Sequence, residues 1–326
     1  MTDRTPGEHR DPVVGVRGSH PEAGPIAIAP ETTSIYEAAV RQAGGVVAPL
    51  DDETRGLIWL NLDGPALAAE LDRYPGVGWV QLPLAGIERV ADVVAAHPQV
   101  TWTSAKGAFA EPVAEHAVML TLAVLRGLPE KARSTSWTEP KTGLSLFGRR
   151  VVIVGAGGVA IEIMRLLAPY EPFITIVRRA ADPVPGADRT VATDRLMEVL
   201  PDADVVILAA AATEETRHLI GAAQLAAMMP TAALVNIARG HLVDQDALVD
   251  ALNSGHLVGA GLDVTTPEPL PDGHPLWTAP RCVITSHSAD TQEMVEPLLA
   301  ERVRRNVEAL LGDGAFVGRV DPEAGY

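Results

Sequence analysis

A single cysteine, a shortage of basic side chains and the absence of any long apolar run set the outer limits of this sequence. With Cys282 alone among 326 residues, an internal disulfide framework and a multi-cysteine metal site are both excluded. Lys and Arg number 26 against 42 Asp and Glu, a formal net charge of −16, which argues against nucleic acid or an anionic membrane as the main partner. A phosphate-bearing cofactor is not excluded, because local backbone amides and one or two arginines suffice to hold it. The apolar run Val205 to Ala212 is far too short to cross a bilayer. Residues 1–25 are rich in Pro, Gly, Arg and Glu and lack the apolar centre of a Sec-type signal, so they read as a flexible leader on a cytoplasmic protein.

What the chain does contain is organised around Val151-Val-Ile-Val-Gly-Ala-Gly-Gly-Val-Ala160. A run of β-branched residues enters a glycine-rich turn and leaves as a helix-like segment, Ile161 to Leu167. That is a buried parallel strand feeding a helix N-terminus, with Gly155, Gly157 and Ala160 in a G-x-G-x-x-A form of the dinucleotide fingerprint. Gly155 would permit the tight turn, Gly157 the close approach of a pyrophosphate, and the small Ala160 close helix–strand packing. Gly158 and Val159 fall in the same cofactor-facing turn. A fingerprint of this kind is weak alone, so the rest of the chain has to supply context.

Upstream, short apolar strands at 26–29, 56–60, 78–82 and 100–103 alternate with helices at 35–43 and 65–72, and residues 83–88 read as a turn into a helix start. A long helix at 112–128, apolar nearly all round, is expected to be buried, and 129–147 reads as a turn-rich crossover or arm. From residue 149 the alternation becomes regular. Strands are expected at 151–154, 173–177, 205–210, 233–237, 258–262 and 282–285, and helices at 158–168, 194–199, 221–228, 244–253 and 290–311. This predicts an α/β protein with a doubly wound parallel-sheet dinucleotide domain over 112–287. A second, smaller α/β substrate domain spans 26–111 and is completed by 288–326.

Chemistry-bearing residues collect at expected strand ends. Phe173 to Val177 is followed by Arg178 and Arg179, where a carboxylate normally accepts the ribose 2′-hydroxyl of NAD and an arginine instead suits the 2′-phosphate of NADP. Surface cations at a strand end are the plainer alternative. The strand at 233–237 delivers Arg239, able to grip a carboxylate bidentately. The next two deliver Asp263 with Glu268, and then His287. A histidine beside a carboxylate is oriented to give or take the proton of a carbonyl or hydroxyl oxygen. Each of these residues alone has an ordinary structural reading. Three at the same sheet edge favour a site. His116 reads as helix packing or a cross-subunit contact, and Trp59, Trp79, Trp102 and Trp277 as core anchors, the last with a possible border on substrate. His218, His241 and His256 lack metal-ligand spacing, so no metal is expected.

The succession of fingerprint, N-x-x-R-G-x-x-V-D at 236–244, L-D-V at 262–264 with E-P-L following, and a strand-end His287 resembles the D-isomer-specific 2-hydroxyacid dehydrogenase family over about residues 26–315. The resemblance implies hydride transfer between NAD(P)H and a small 2-oxo acid, or the reverse, in a cleft between a split flavodoxin-like substrate domain and the dinucleotide domain. It implies Arg239 as carboxylate and carbonyl binder, His287 as general acid/base, Glu268 as its partner, and Asp263 against the nicotinamide carboxamide. It places Leu84, Ala85, Gly86 and Ile87 at the substrate carboxylate. Ala210, Thr213, Ile237 and Ala238 fall along the cofactor, and the helix near 112–128 at a homodimer interface. The chain departs from the family pattern in several places. Ala209, Ala211 and Ala212 replace most of a His-x-Pro-Leu-Thr segment, Ser286 stands where proline precedes the histidine, and Arg178 stands where the ribose carboxylate belongs. The last, with Ala160, favours NADP(H) over NAD(H).

Two alternatives stay open: a catalytically weak nicotinamide-sensing protein of the corepressor kind, and a phosphite-type dehydrogenase sharing the Arg–Glu–His set. The formate branch pairs its histidine with Gln where this chain has Glu268.

Overall fold

The computed structural model describes residues 20–137, 139–312 and 314–320. Packing divides the chain into two units. One is built from the chain up to Phe109 together with the chain from Thr291 onward, and the other runs Ala110–Asp290.

The first unit opens with β1 (Ile26–Ala29), α1 (Ser34–Gln42), β2 (Gly56–Trp59), α2 (Gly64–Arg73), β3 (Trp79–Gln81), α3 (Ala91–Ala96) and β4 (Thr101–Thr103). The four strands are parallel in the order β1-β2-β3-β4, and an isolated parallel bridge, Ile26 to Val47, adds an extended segment on the far side of β1. Counting that segment, the order is the 2-1-3-4-5 winding of flavodoxin-like sheets. Helix α2 starts where Asp63 accepts a hydrogen bond from Ala66 N at 3.0 Å with Pro65 in the first turn, a cap and a pre-set φ together. Of the expected leader, residues 1–19 lie outside the described residues. His20 and Glu22 are anchored, the ring Nε2 of His20 to Ala309 O at 2.8 Å and Glu22 to Arg55 at 3.3 Å.

The second unit contains α4 (Ala110–Leu125), α5 (Leu128–Arg133), β5 (Arg150–Val154), α6 (Gly158–Leu167), β6 (Phe173–Arg178), β7 (Arg189–Ala192), α7 (Leu196–Val199), β8 (Val205–Leu208), α8 (Ala222–Ala227), β9 (Ala233–Asn236), α9 (Gln245–Asn253), β10 (Gly259–Leu262) and β11 (Cys282–Ile284). All seven strands are parallel, in the order β11-β10-β9-β8-β5-β6-β7. Alternate residues feed opposite faces: Val152, Val154, Val206 and Leu208 pack in one apolar cluster, while Val151, Ile153, Val205 and Ile207 pack in the other. Both faces are therefore covered, which is why these strands read as unbroken apolar runs.

Two expectations need correction. The long helix stops at Leu125 because Gly127 turns left-handed (φ 58°), and α5 then occupies part of the expected arm. Strand β7 was not expected. It is a four-residue edge strand in which only Val191 is fully buried, so it carries almost no apolar signature. The closing helix α10 (Gln292–Leu311) returns to the first unit and packs on α1.

Candidate active site

Because every strand of the large sheet runs the same way, all its carboxyl ends lie on one edge. The strand order reverses between β8 and β5, and an open α/β sheet takes its ligand at that reversal. The glycine-rich turn sits there. Gly155 has φ 119°, and a methyl on it would come within 2.4 Å of Ala209 O, so the strand crossing tolerates only glycine. At Gly157 a methyl would meet nothing within 4 Å, so the bare backbone there faces open space.

Helix α6 has no side-chain cap, and its first internal bond is Ile161 N to Gly157 O at 3.1 Å. The N–H groups of Gly158, Val159 and Ala160 therefore have no intrahelical acceptor and sit at the positive end of the helix dipole. Ala160 is fully buried in the core. The turn thus fits a dinucleotide pyrophosphate. Arg178 ends β6 beside Ala192 of β7, and Arg179 follows it. Ala210 is half-buried, while Ile237 and Ala238 are buried, so the last two can offer a ligand little beyond backbone. Thr213 closes a tight turn, its N–H donating to Thr216 Oγ1 at 2.8 Å.

Beyond β9, Asn236 folds its side chain back over the strand end. Its Nδ2 donates to Arg239 O at 2.9 Å and its Oδ1 accepts from Ala238 N at 3.0 Å, fixing the backbone that presents Arg239. The guanidinium donates to Ala238 O at 2.8 Å. Gly240 cannot carry a side chain, since a methyl would fall 2.0 Å from the Thr265 carbonyl. The Arg239 turn and the loop leading to Glu268 are therefore in backbone contact.

Glu268 and His287 are directly paired. The ring Nδ1 of His287 lies 2.9 Å from Glu268 Oε2, and since a carboxylate can only accept, Nδ1 carries the proton. Nε2 is then the nitrogen that exchanges a proton with a ligand. The second carboxylate oxygen, Oε1, accepts from Thr265 N at 3.0 Å. His287 adopts φ 49°, a left-handed conformation that costs a non-glycine residue energy, and its N–H donates to Asp263 O at 2.8 Å. The side chain is 48 % exposed, so the strained turn presents the ring outward rather than burying it.

Asp263 lies behind this turn. Its carboxylate is only 1 % exposed and receives Thr285 Oγ1 at 2.5 Å, Ser288 N at 2.9 Å and Ala289 N at 3.1 Å. The His116 ring on α4 completes the set, with Nε2 2.8 Å from Thr285 Oγ1 and 3.2 Å from Asp263 Oδ1. Since the Thr285 hydroxyl donates to Asp263, Nε2 of His116 must be the donor. Burial alone would raise the Asp263 pKa, but hydrogen bonds from His116, Thr285 and Ser288 outweigh it and bring the value down to about 2. The carboxylate expected to face a nicotinamide amide is thus also the anchor of the His287 turn.

Asp290 was missed by sequence reasoning. Burial raises its pKa; His287 and Arg239 oppose that and Asp263 reinforces it, so its carboxyl is coupled electrostatically to the residues of the site. Thr285 was missed as well, and His116 was not assigned this partner. A histidine inside a mostly apolar helix is the available signal, because a buried ring nitrogen needs a partner.

In the first unit, the expected substrate turn holds Leu84 and Ala85 exposed, Gly86 half-buried and Ile87 in the core. Among the described residues none of the four N–H groups donates a hydrogen bond, while Leu84 O accepts from Ala105 N at 2.9 Å. The expected helix start is absent: α3 begins only at Ala91 and has six residues, so no helix dipole acts at this turn. Trp59, Trp79 and Trp102 are core residues, whereas Trp277 is 44 % exposed and ties its own loop through Nε1 to Pro271 O. Among the described residues no cluster of His, Cys, Asp or Glu is arranged for a metal, and no helix is long and apolar enough to cross a membrane.

Residues 118–289 match the family model described as D-isomer specific 2-hydroxyacid dehydrogenase, NAD binding domain. The chain is 36 % identical over 293 residues to an uncharacterized protein in the proB 3′ region of Corynebacterium melassecola, covering 88 % of this chain and 95 % of that one. It is 32 % identical over 254 residues to a glyoxylate reductase of Thermofilum pendens, covering 75 % of each. Among solved structures it resembles an NADPH-dependent glyoxylate/hydroxypyruvate reductase of Sinorhizobium meliloti in complex with NADP and malonate. That match has TM-score 0.69 and 25 % identity over 92 % of this chain and 98 % of the other.

Proposed function

Since this chain belongs to the D-isomer specific 2-hydroxyacid dehydrogenase family and is an NAD(P)-dependent oxidoreductase of small 2-oxo and 2-hydroxy acids, we propose that it works as an NADPH-preferring 2-oxo acid reductase with His287 as its general acid/base. The observation that carries this reading is the 2.9 Å bond from His287 Nδ1 to Glu268, on the sheet edge that also holds the glycine-rich turn. The bond fixes the ring's tautomer and orientation and supports the imidazolium. Nε2 then delivers a proton to the carbonyl oxygen, or removes one from the hydroxyl in the reverse direction.

Arg239 supplies a planar fork for the substrate carboxylate and a positive charge beside the carbonyl oxygen. The N–H groups of 84–87 have no acceptor of their own among the described residues, which supports reading that turn as a carboxylate binder. Gly155 to Ala160 would hold the pyrophosphate, and Arg178 with Arg179 the 2′-phosphate. When bound, the nicotinamide supplies or accepts the hydride at the substrate C2. The NADPH-dependent Sinorhizobium meliloti relative supports NADP(H), and the glyoxylate reductases among the relatives support substrates of glyoxylate or hydroxypyruvate size. Exposed Met119, Leu128 and Trp137 support a homodimer, checked by sedimentation equilibrium.

The test is a panel of 2-oxo acids run with NADPH and NADH in parallel, with phosphite and NADP as a further arm. Oxidation of NADPH by a small 2-oxo acid is expected. Oxidation only with NADH would remove the role given to Arg178 and Arg179. Turnover confined to phosphite, or absent throughout, would replace the reductase reading.

A further inference from the structure

The loop that carries Glu268 is held from outside the residues assigned to the chemistry. Gln245, the first residue of α9, sets its side-chain amide against the peptide of Thr266. Its Nε2 donates to Thr266 O at 2.6 Å, and Thr266 N donates to its Oε1 at 2.7 Å. The amide orientation is fixed by the pairing, because the flipped form would face donor to donor and acceptor to acceptor. The bracket copies a strand neighbour over one residue.

The next residue upstream, Thr265, is the one whose N–H holds Glu268 Oε1 at 3.0 Å and whose hydroxyl donates to Pro267 O at 3.0 Å. On its other side Thr265 is packed against Gly240. The loop from 265 to 268 is thus gripped at adjacent residues by the Arg239 turn and by α9, and Glu268 is its last member.

We infer that Gln245 is a positioning residue for the Glu268–His287 pair, acting through Thr266 to hold the Glu268 carboxylate where it receives His287 Nδ1. This rests on the proposed chemistry for its catalytic consequence, but not for the bracket itself. Thr266 is exposed, so without Gln245 its peptide groups are satisfied by water. What the side chain contributes is therefore orientation. A loop released by Gln245 would let Glu268 drift, and misplacement of about 1 Å in supporting groups costs on the order of 10²-fold in rate.

The experiment compares Gln245→Ala and the near-isosteric Gln245→Met with the wild type, each also in a Glu268→Gln background. Amide exchange is read by NMR at Thr265, whose protection reports the Glu268 bond. The variants are expected to raise Thr265 exchange about 10-fold. They should also lower kcat about 10-fold while KM and NADPH affinity stay unchanged. In the Glu268→Gln background Gln245→Ala should add nothing further. Wild-type exchange at Thr265 with only Thr266 deprotected would overturn the inference, as would an equal kcat loss in both backgrounds. If the wild type reduces no 2-oxo acid, the enzymatic reading falls, and the exchange measurement still decides the bracket.

Discussion

The two units place similar polar residues to opposite ends. In the first, Gln81 and Thr103 are the last residues within strands β3 and β4 and are fully buried, as is Asn306 of α10. They bond one another: Asn306 Nδ2 to Gln81 Oε1 at 2.7 Å, Thr103 Oγ1 to the same oxygen at 2.9 Å, and Trp79 Nε1 to Thr103 Oγ1 at 2.9 Å. Asn306 also exchanges two bonds with Val317, and Arg302 donates to Ser104 O at 2.9 Å. Every polar atom named there is consumed by the fold. In the second unit the interiors of β9, β10 and β11, the strands leading to the site, are apolar, and Arg239, Glu268 and His287 each lie beyond a strand's last residue. Position along the strand, not residue type, separates a polar group that closes a core from one that meets a ligand.

The sharpest way to test that division is to remove one member from each side. His287→Ala should lower kcat about 10³-fold, the range of a positioned acid/base, while leaving NADPH affinity and unfolding free energy near wild type. Turnover close to wild type would take the proton chemistry away from this ring. Asn306→Ala should do the reverse. It removes a donor from the fully buried Gln81 Oε1 and strands the half-buried Val317 N–H and O, at a cost of about 2–4 kcal/mol in urea unfolding, with kcat per folded molecule preserved. A kcat collapse without loss of stability would make the first unit's network part of the site.

The same division explains what could be seen in the sequence. Strands β5, β8 and β9 are apolar runs bounded by turn residues, and the fingerprint at 155–160 is legible because its glycine spacing follows directly on one of those runs. Arg239, Glu268 and His287 stood out for lying just past such runs. The Asn306–Gln81 bond joins residues 225 apart, and no local period announces it. Edge strand β7 was invisible because it buries a single apolar side chain. The Thr285–Asp263–His116 set was hidden because its members come from three separate parts of the chain and Asp263 already had another role.

A smaller effect probes the far end of the sheet. Replacing Arg178 and Arg179 by Ala should weaken NADPH about 10-fold against NADH, the scale of lost charge-assisted phosphate contacts, with kcat at saturation preserved. Equal loss with both cofactors would show that the arginines support the strand end and not the 2′-phosphate.

The smallest expected effect lies in acid stability, where the carboxyls of Asp263, after β10, and Asp290, after β11, have opposite signs. Asp263 titrates at about 2 in the folded protein, below the ordinary value of about 3.9 for an unfolded chain. Its ionised form is therefore favoured by folding. That contribution is complete above the unfolded value and is lost as pH falls from about 4 to about 2. Asp290 is raised by burial, so its ionised form is disfavoured by folding, and acidification through its raised value adds stability. In urea titrations run from neutral pH into acid, Asp263→Asn should flatten the wild-type loss of stability below about pH 4, and Asp290→Asn should remove a gain that falls just above that value. Curves that move together in both variants would mean that neither carboxyl is held as its surroundings require. The distinction between an anchored Asp263 and a half-buried Asp290 would then be lost.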